Sequence, residues 1–267
     1  MNDLFSQLGI ARLDEIVRPG LLCVFDFDGT LAPIVRTPEH ASLPPDVRER
    51  LLALSRLAPV AILTGRSLAD IKVRLGFEPD YIAGNHGLEG LPGWEERSVE
   101  YERTCRAWMS ILTSALQDPQ FDSGIRIENK QYSLSLHYRM AQDQLKTEKA
   151  LAELFAGKLP EARVIGGKCV FNLMPQHAAD KGQAMERLMQ LSGARSAIYV
   201  GDDVTDEDVF RLRRRDLLTI RIEPAAASAA EFYLSHWHNI LQFLDDLIRR
   251  LHAQHIHDAT VRPAHNA

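Results

Sequence analysis

Cysteine is scarce: Cys23, Cys105 and Cys169 are the only three in 267 residues, far apart and in apolar surroundings. An odd, scattered set supports neither a disulfide framework nor a zinc site, so buried thiols in a reducing compartment are expected. Long apolar runs are missing too. None approaches the ~18–20 residues of a membrane span, and no membrane partner is expected. The opening stretch MNDLFSQLGIARLDE carries acids and has no basic start followed by a long apolar run. That is not the pattern of a secretory leader, and cytoplasmic residence is the expectation. A basic excess is also lacking. Lys and Arg number 31 against 36 Asp and Glu, a formal net charge of −5. This argues against coating nucleic acid or an anionic membrane, though not against a local basic pocket. No GxxxxGK[ST] or GxGxxG occurs, which disfavours a nucleotide-driven machine. Internal repeats and low-complexity tracts are absent.

What is present is an ordinary globular composition, 45% hydrophobic and 25% charged, enough for a sizeable core. Short apolar runs end in small or polar residues. Leu21–Phe25 leads into Asp26-Phe27-Asp28-Gly29-Thr30, and Val60–Leu63 into Thr64-Gly65-Arg66. Tyr81–Ala83 leads into Gly84-Asn85-His86-Gly87, and Ala197–Val200 into Gly201-Asp202-Asp203. Leu218–Ile222 is a fifth run. Continuous apolar runs of this length suit strands buried on both faces. Between them lie the amphipathic stretches Pro45–Leu57, Ser67–Leu75 and Lys181–Leu191. The alternation predicts an α/β fold with a doubly wound parallel sheet, whose ligands bind beyond the carboxyl ends of the strands.

The middle of the chain reads differently. Glu95–Leu116 and Ala141–Ala156 are predicted helices, the second capped by Gly157. Tyr132–Arg139 alternates apolar and polar residues, as does Lys168–Met174, the mark of half-exposed strands. An inserted α+β unit over 96–177 is expected, splitting a core made of 1–95 and 178–251. A closing helix spans His236–Leu251, and 252–267, which lacks periodicity, is expected to be a disordered tail.

Asp26 and Asp28 leave a strand end at a glycine-containing turn, and two such acids repel unless a cation lies between them. In Gly201-Asp202-Asp203-Val204-Thr205-Asp206-Glu207-Asp208, some acids merely suit a helix start. Helix capping does not explain Asp202, which the sheet sets beside Asp26. Three carboxylates from two strand ends describe a hard-cation site with oxygen ligands, Mg²⁺ foremost. Thr64, Gly65 and Arg66 offer a hydroxyl, backbone N–H groups and a guanidinium, a natural phosphate cradle. Lys181 opens a helix, where a cation is electrostatically misplaced unless acids or a phosphate lie close.

These motifs, in this order, resemble the haloacid dehalogenase superfamily of phosphatases. FDFDGTLAPI, LTGR, GNHGLE, Glu128-Asn129-Lys130, His137-Tyr138-Arg139 and Gly167-Lys168-x-Val170 are similar, more narrowly, to the trehalose-6-phosphate phosphatase family. The resemblance runs from about Leu21 to Leu251. It implies that Asp26 attacks phosphorus to give an aspartyl-phosphate, while Asp28 serves as general acid and then base. It implies Mg²⁺ on the Asp26 carboxylate, the Asp28 backbone carbonyl and Asp202, with Asp203 and Asp206 orienting metal-bound water or Lys181. Thr64 and Lys181 would hold the phosphoryl group, with Gly65, Arg66, Asn85 and His86 assigned to substrate binding. The inserted unit becomes a cap that reads the sugar through Glu128, Lys130, Arg139, Lys168 and Asn172. The family usually has an acid where this chain has Asn172, and often a base where it has Met174.

The implied partner is a small sugar phosphate, with functional coupling to a trehalose-phosphate synthase. Two alternatives stand beside it. One is a related capped phosphatase acting on sucrose 6-phosphate or mannosyl-3-phosphoglycerate. The other is a catalytically silent partner of a synthase, for which the crowded acids have no physical use.

Overall fold

The structure, a computed structural model, describes residues 1–35 and 37–261. The chain divides into two compact units, Met1–Leu91 with Asp180–Ala267, and Pro92–Ala179. The two inner limits lie a few residues from 95/96 and 177/178, while the first unit takes in the stretch after 251 as well.

The first unit contains β1 (Asn2–Asp3), α1 (Gln7–Ile16), β2 (Leu21–Phe25), α2 (Pro45–Leu54), β3 (Val60–Leu63), α3 (Leu68–Leu75) and β4 (Tyr81–Ala83). The second contributes α4 (Glu95–Ala115), β5 (Arg126–Asn129), β6 (Leu134–His137), α5 (Gln144–Lys158), β7 (Ala162–Gly167) and β8 (Val170–Pro175). The first unit resumes with α6 (Lys181–Ser192), β9 (Ser196–Gly201), α7 (Glu207–Phe210), β10 (Leu217–Ile222), β11 (Phe232–Leu234) and α8 (Asn239–Val261).

Seven parallel strands form its sheet, ordered β1-β11-β10-β9-β2-β3-β4. The apolar runs are buried as expected: β2, β3 and β9 have no exposed residue. Strands β2, β3 and β4 step one way across the sheet and β9, β10 and β11 the other. The reversal between β2 and β9 opens the crevice where ligands bind in such sheets. Phe25 pairs with Val200 in the register of β2 and β9, which sets the residues following both strands side by side.

The second unit is an antiparallel sheet, β5-β6-β8-β7. Trp108, Leu112, Leu134, Leu136, Leu151, Phe155, Phe171 and Leu173 form its core, with the Phe155 ring edge-on to Phe171. Two local readings change. Gly157 does not cap α5; it lies inside the helix, which starts at the Asp143 N-cap and ends at Leu159. Lys168 and Cys169 lie outside the strand, between β7 and β8, with Cys169 at φ 60° and only half-buried.

The tail also differs. Helix α8 buries Ile240, Phe243, Leu244, Leu247 and Leu251, then runs on to Val261. Residues 252–261 lack an apolar stripe, but each residue added to a formed helix gains a hydrogen bond without a new nucleation cost. The rest of the expected tail, 262–267, lies outside the described residues.

Candidate active site

The turn after β2 separates its side chains by burial. Phe27 enters the core, Asp26 is buried, and the Asp28 side chain keeps 42% exposure. Gly29 adopts φ +81°, and a Cβ there would come within 2.1 Å of Asp202 Oδ2. Only glycine lets the β2 turn close against the acid leaving β9.

Lys181, the first residue of α6, is almost completely buried. Its Nζ donates to Asp26 Oδ1 at 2.8 Å and to Asp206 Oδ1 at 2.7 Å. A lysine at a helix start is thus explained by the two acids it meets. Asp206 is the hub. Its Oδ1 also accepts from Tyr199 Oη at 2.6 Å, and its Oδ2 from the backbone N–H groups of Asp202 and Asp203, both at 2.8 Å. Asp203 is exposed and forms a reciprocal capping box with Asp206. Thr30 Oγ1 donates to Asp202 Oδ1 at 3.5 Å.

The cluster carries more negative charge than it can hold. Burial, partly offset by Lys181 and reinforced by Asp206, pushes Asp26 up to about 7. Burial and then the charges of Asp26, Asp206 and Asp203 push Asp202 up to about 9. Burial opposes the charge on Lys181, but Asp206 and Asp26 outweigh it and keep the ammonium protonated. Carboxylate oxygens of Asp26, Asp202 and Asp206 lie within 4.8 Å of one another. All-oxygen donors whose negative charge one buried ammonium only partly offsets suit a hard divalent cation.

A pH dependence follows. Folded values above the ordinary 3.8 mean that the folded state binds more protons than the unfolded one. That contribution is complete below about pH 4 and is lost as pH rises through about 7 and 9. In chelator, Asp202→Asn should therefore gain stability over wild type progressively across this range, and Mg²⁺ should abolish the advantage. Thermal melts of both proteins test this; parallel curves would contradict it.

At the end of β3, Thr64 is fully buried and its Oγ1 accepts from Arg66 N at 3.2 Å. The Arg66 guanidinium is held on acids of its own unit. It forks onto Asp28 through Nε and Nη2, both at 2.7 Å, and donates Nη1 to Asp70 at 2.6 Å. Arg74 takes the other side of Asp70. A Cβ on Gly65 would meet the His86 ring at 2.5 Å, so Gly65 admits that ring against the backbone. Asn85 and His86 take left-handed φ of 49° and 59°. Asn85 is fully buried and its Nδ2 donates to Glu89 Oε1 at 2.7 Å, which also accepts from Leu68 N at 2.8 Å. These contacts shape the loop after β4.

In the second unit, Glu128 pairs with Ser135 and Ser135 with Asn172 in the strand register, so the three share one row on one face. Glu128 Oε2 lies 2.9 Å from His137 Nε2 and 4.0 Å from Lys130 Nζ. Ser135 Oγ donates to Asn172 Oδ1 at 2.6 Å. Arg139 is exposed and donates to the Lys168 carbonyl at 3.3 Å. Two participants, Tyr199 and Asp70, escaped the sequence reading, while Glu89 and His137 stand in the quoted motifs without a role. Tyr199 sits in an apolar strand, where an aromatic residue reads as core. Asp70 carried a signal, since it stands four residues from both Arg66 and Arg74.

A doubly wound parallel sheet, an acid cluster at its reversal point and an inserted antiparallel unit define a haloacid dehalogenase-like fold with a cap. Within that class the sequence profile of the trehalose-phosphatase family matches residues 24–234, and the chain belongs to that family. A trehalose-phosphate phosphatase of Mycobacterium tuberculosis is 32% identical over 264 residues, covering 94% of this chain and 66% of that protein. An uncharacterized glycosyl hydrolase of the same organism is 32% identical over 268 residues, 96% of this chain but 20% of its own length. The chain thus spans a fifth to about two thirds of these relatives. The C-terminal domain of the Candida albicans trehalose-6-phosphate phosphatase superposes with a TM-score of 0.70 at 21% identity, covering 93% of this chain and 98% of that one. No helix among the described residues is long and apolar enough to cross a membrane.

Proposed function

We propose that this chain is a Mg²⁺-dependent phosphatase that hydrolyses trehalose 6-phosphate to trehalose and phosphate. The observation that carries the reading is the buried Lys181 donating at 2.8 Å to Asp26 beside Asp202. Lys181 fixes the Asp26 carboxylate and lessens its repulsion of an incoming phosphoryl group. The free Asp26 oxygen attacks phosphorus, the P–O bond to the sugar breaks, and the sugar oxygen takes a proton from Asp28. Asp28 then takes a proton from the water that attacks the aspartyl-phosphate, which releases phosphate and restores Asp26. To reach the sugar oxygen, Asp28 must leave the Arg66 fork. Thr64 joins Lys181 in holding the phosphoryl oxygens. The Asp26 and Asp202 carboxylates and the Asp28 backbone carbonyl would hold Mg²⁺, which supplies positive charge against the phosphoryl oxygens.

Sugar selectivity falls to the inserted unit, through Glu128, Lys130, Lys168 and Asn172, with Arg139 near the last turn. Removing one partner of a sugar hydroxyl leaves the other unpaired, at about 1–3 kcal/mol. Glu128→Ala or Lys130→Ala should lower kcat/KM for trehalose 6-phosphate by roughly ten- to a hundredfold. Hydrolysis of p-nitrophenyl phosphate, which lacks those hydroxyls, should change much less. Parallel losses on both substrates would assign these residues to folding instead. The reading includes cytoplasmic residence and a supply of substrate by a trehalose-phosphate synthase.

A silent binding partner is the weaker reading. Lys181, Asp26, Asp202 and Asp206 crowd together at a cost in self-repulsion that a non-catalytic surface has no reason to bear.

A further inference from the structure

We infer that Tyr199 sets the cation preference of this site by keeping Asp206 out of the metal's ligand shell. The inference rests on the metal-dependent reading above and concerns residues of this chain alone.

By distance, Asp206 is as good a ligand as its neighbours: its carboxylate lies within 4.8 Å of those of Asp26 and Asp202. By hydrogen bonding it is not. A carboxylate offers about four acceptor positions, and four donors already use them. Oδ2 takes the N–H groups of Asp202 and Asp203, and Oδ1 takes Lys181 Nζ and Tyr199 Oη. The two N–H groups come with the turn and cannot be withdrawn without unfolding it. Lys181 is shared with Asp26. Among the described residues the Tyr199 hydroxyl donates to Asp206 alone, and it is rigid. Its side chain is fully buried in β9 and its ring meets Phe210 edge-on at 6.0 Å.

Removing the Tyr199 hydroxyl returns a lone pair of Oδ1 to the acid cluster. The site then gains a third carboxylate oxygen. Mg²⁺ is small, demands near-octahedral geometry and keeps several waters, so it gains little from another carboxylate. Ca²⁺ accepts 6–8 oxygens in irregular geometry and gains more. Tyr199 therefore favours the smaller ion by withholding a ligand.

The test is calorimetric titration of the substrate-free protein with MgCl₂ or CaCl₂ alone, for wild type, Tyr199→Phe and Tyr199→Phe/Asp206→Asn. Tyr199→Met serves as a second hydroxyl-free variant should Tyr199→Phe fold poorly. The expected result is Ca²⁺ binding about tenfold tighter in Tyr199→Phe, with Mg²⁺ affinity changed less than about threefold. The gain should vanish in the double variant, because Asn cannot supply the carboxylate. An unchanged Ca²⁺ to Mg²⁺ ratio, a gain that survives in the double variant, or a wild type that binds neither ion would overturn the inference. A wild type that binds Mg²⁺ but releases no phosphate would contradict the phosphatase reading alone.

Discussion

Asp26→Asn should lose phosphate release by on the order of a thousandfold or more, as expected when a nucleophile is removed, and should do so while folded. The two halves of this result have separate causes. An amide oxygen is too poor a nucleophile to form the acyl phosphate, so no later step can begin. The amide can still accept from Lys181, whose Nζ now stands 2.8 Å from Asp26 Oδ1. Burial already pushes Asp26 up to about 7, so replacing the acid by a neutral group relieves repulsion from Asp202 and Asp206. The melting temperature should therefore hold or rise. Phosphate release and thermal melts on the same preparation check both. Substantial activity in folded Asp26→Asn would take the nucleophile's role away from this residue.

Lys181→Met should have the opposite signature, losing activity and stability together. Lys181 is 2% exposed and touches two buried carboxylates. Breaking a buried ion pair by removing one partner costs about 3–5 kcal/mol, because the charge left behind has no compensation. Here two acids would be left. Denaturant midpoints should fall by a matching amount, with part of the loss recovered in Mg²⁺. Lys168→Met, at an exposed position outside the strands of its hairpin, should leave the midpoint unchanged. Equal midpoints for the two variants would show that the buried network contributes nothing to the fold.

The two predictions share a feature of how this chain can be read. Strands β2, β3, β9 and β10 are visible in the sequence because burial on both faces leaves continuous apolar runs. Their polar ends stand out by contrast, which is why Asp26, Asp202 and Thr64 can be picked out without coordinates. The oddity of a lysine at a helix start likewise pointed to Lys181, and the structure supplies its acids. The strands β1, β7 and β11 leave no such trace. β1 and β11 have two and three residues, and β7 contains Gly166 and Gly167.

Partnerships were less legible than positions. Arg66 reads as part of a phosphate cradle, yet its fork lies on Asp28 and Asp70. Which acid a guanidinium chooses depends on loop geometry that no spacing reveals. Asn85 reads as a group for substrate, and the sequence does not show that its amide donates to Glu89 inside its own loop. Asp203 and Asp206 look alike in sequence. One is exposed in a capping box while the other is fully buried and holds four donors. Glu207, in the same acidic run, accepts instead from Ala229 N at 2.9 Å. An acidic run thus resolves into separate duties only when the turn is folded.

The most direct test of the central claim is phosphate release from trehalose 6-phosphate by the wild-type protein, with Mg²⁺ and with chelator. Sucrose 6-phosphate and mannosyl-3-phosphoglycerate should be run beside it. The account predicts turnover of trehalose 6-phosphate in Mg²⁺, little or none in chelator, recovery when Mg²⁺ returns, and markedly lower kcat/KM for the other two esters. Turnover that persists in chelator, or a preference for either of the other esters, would contradict it.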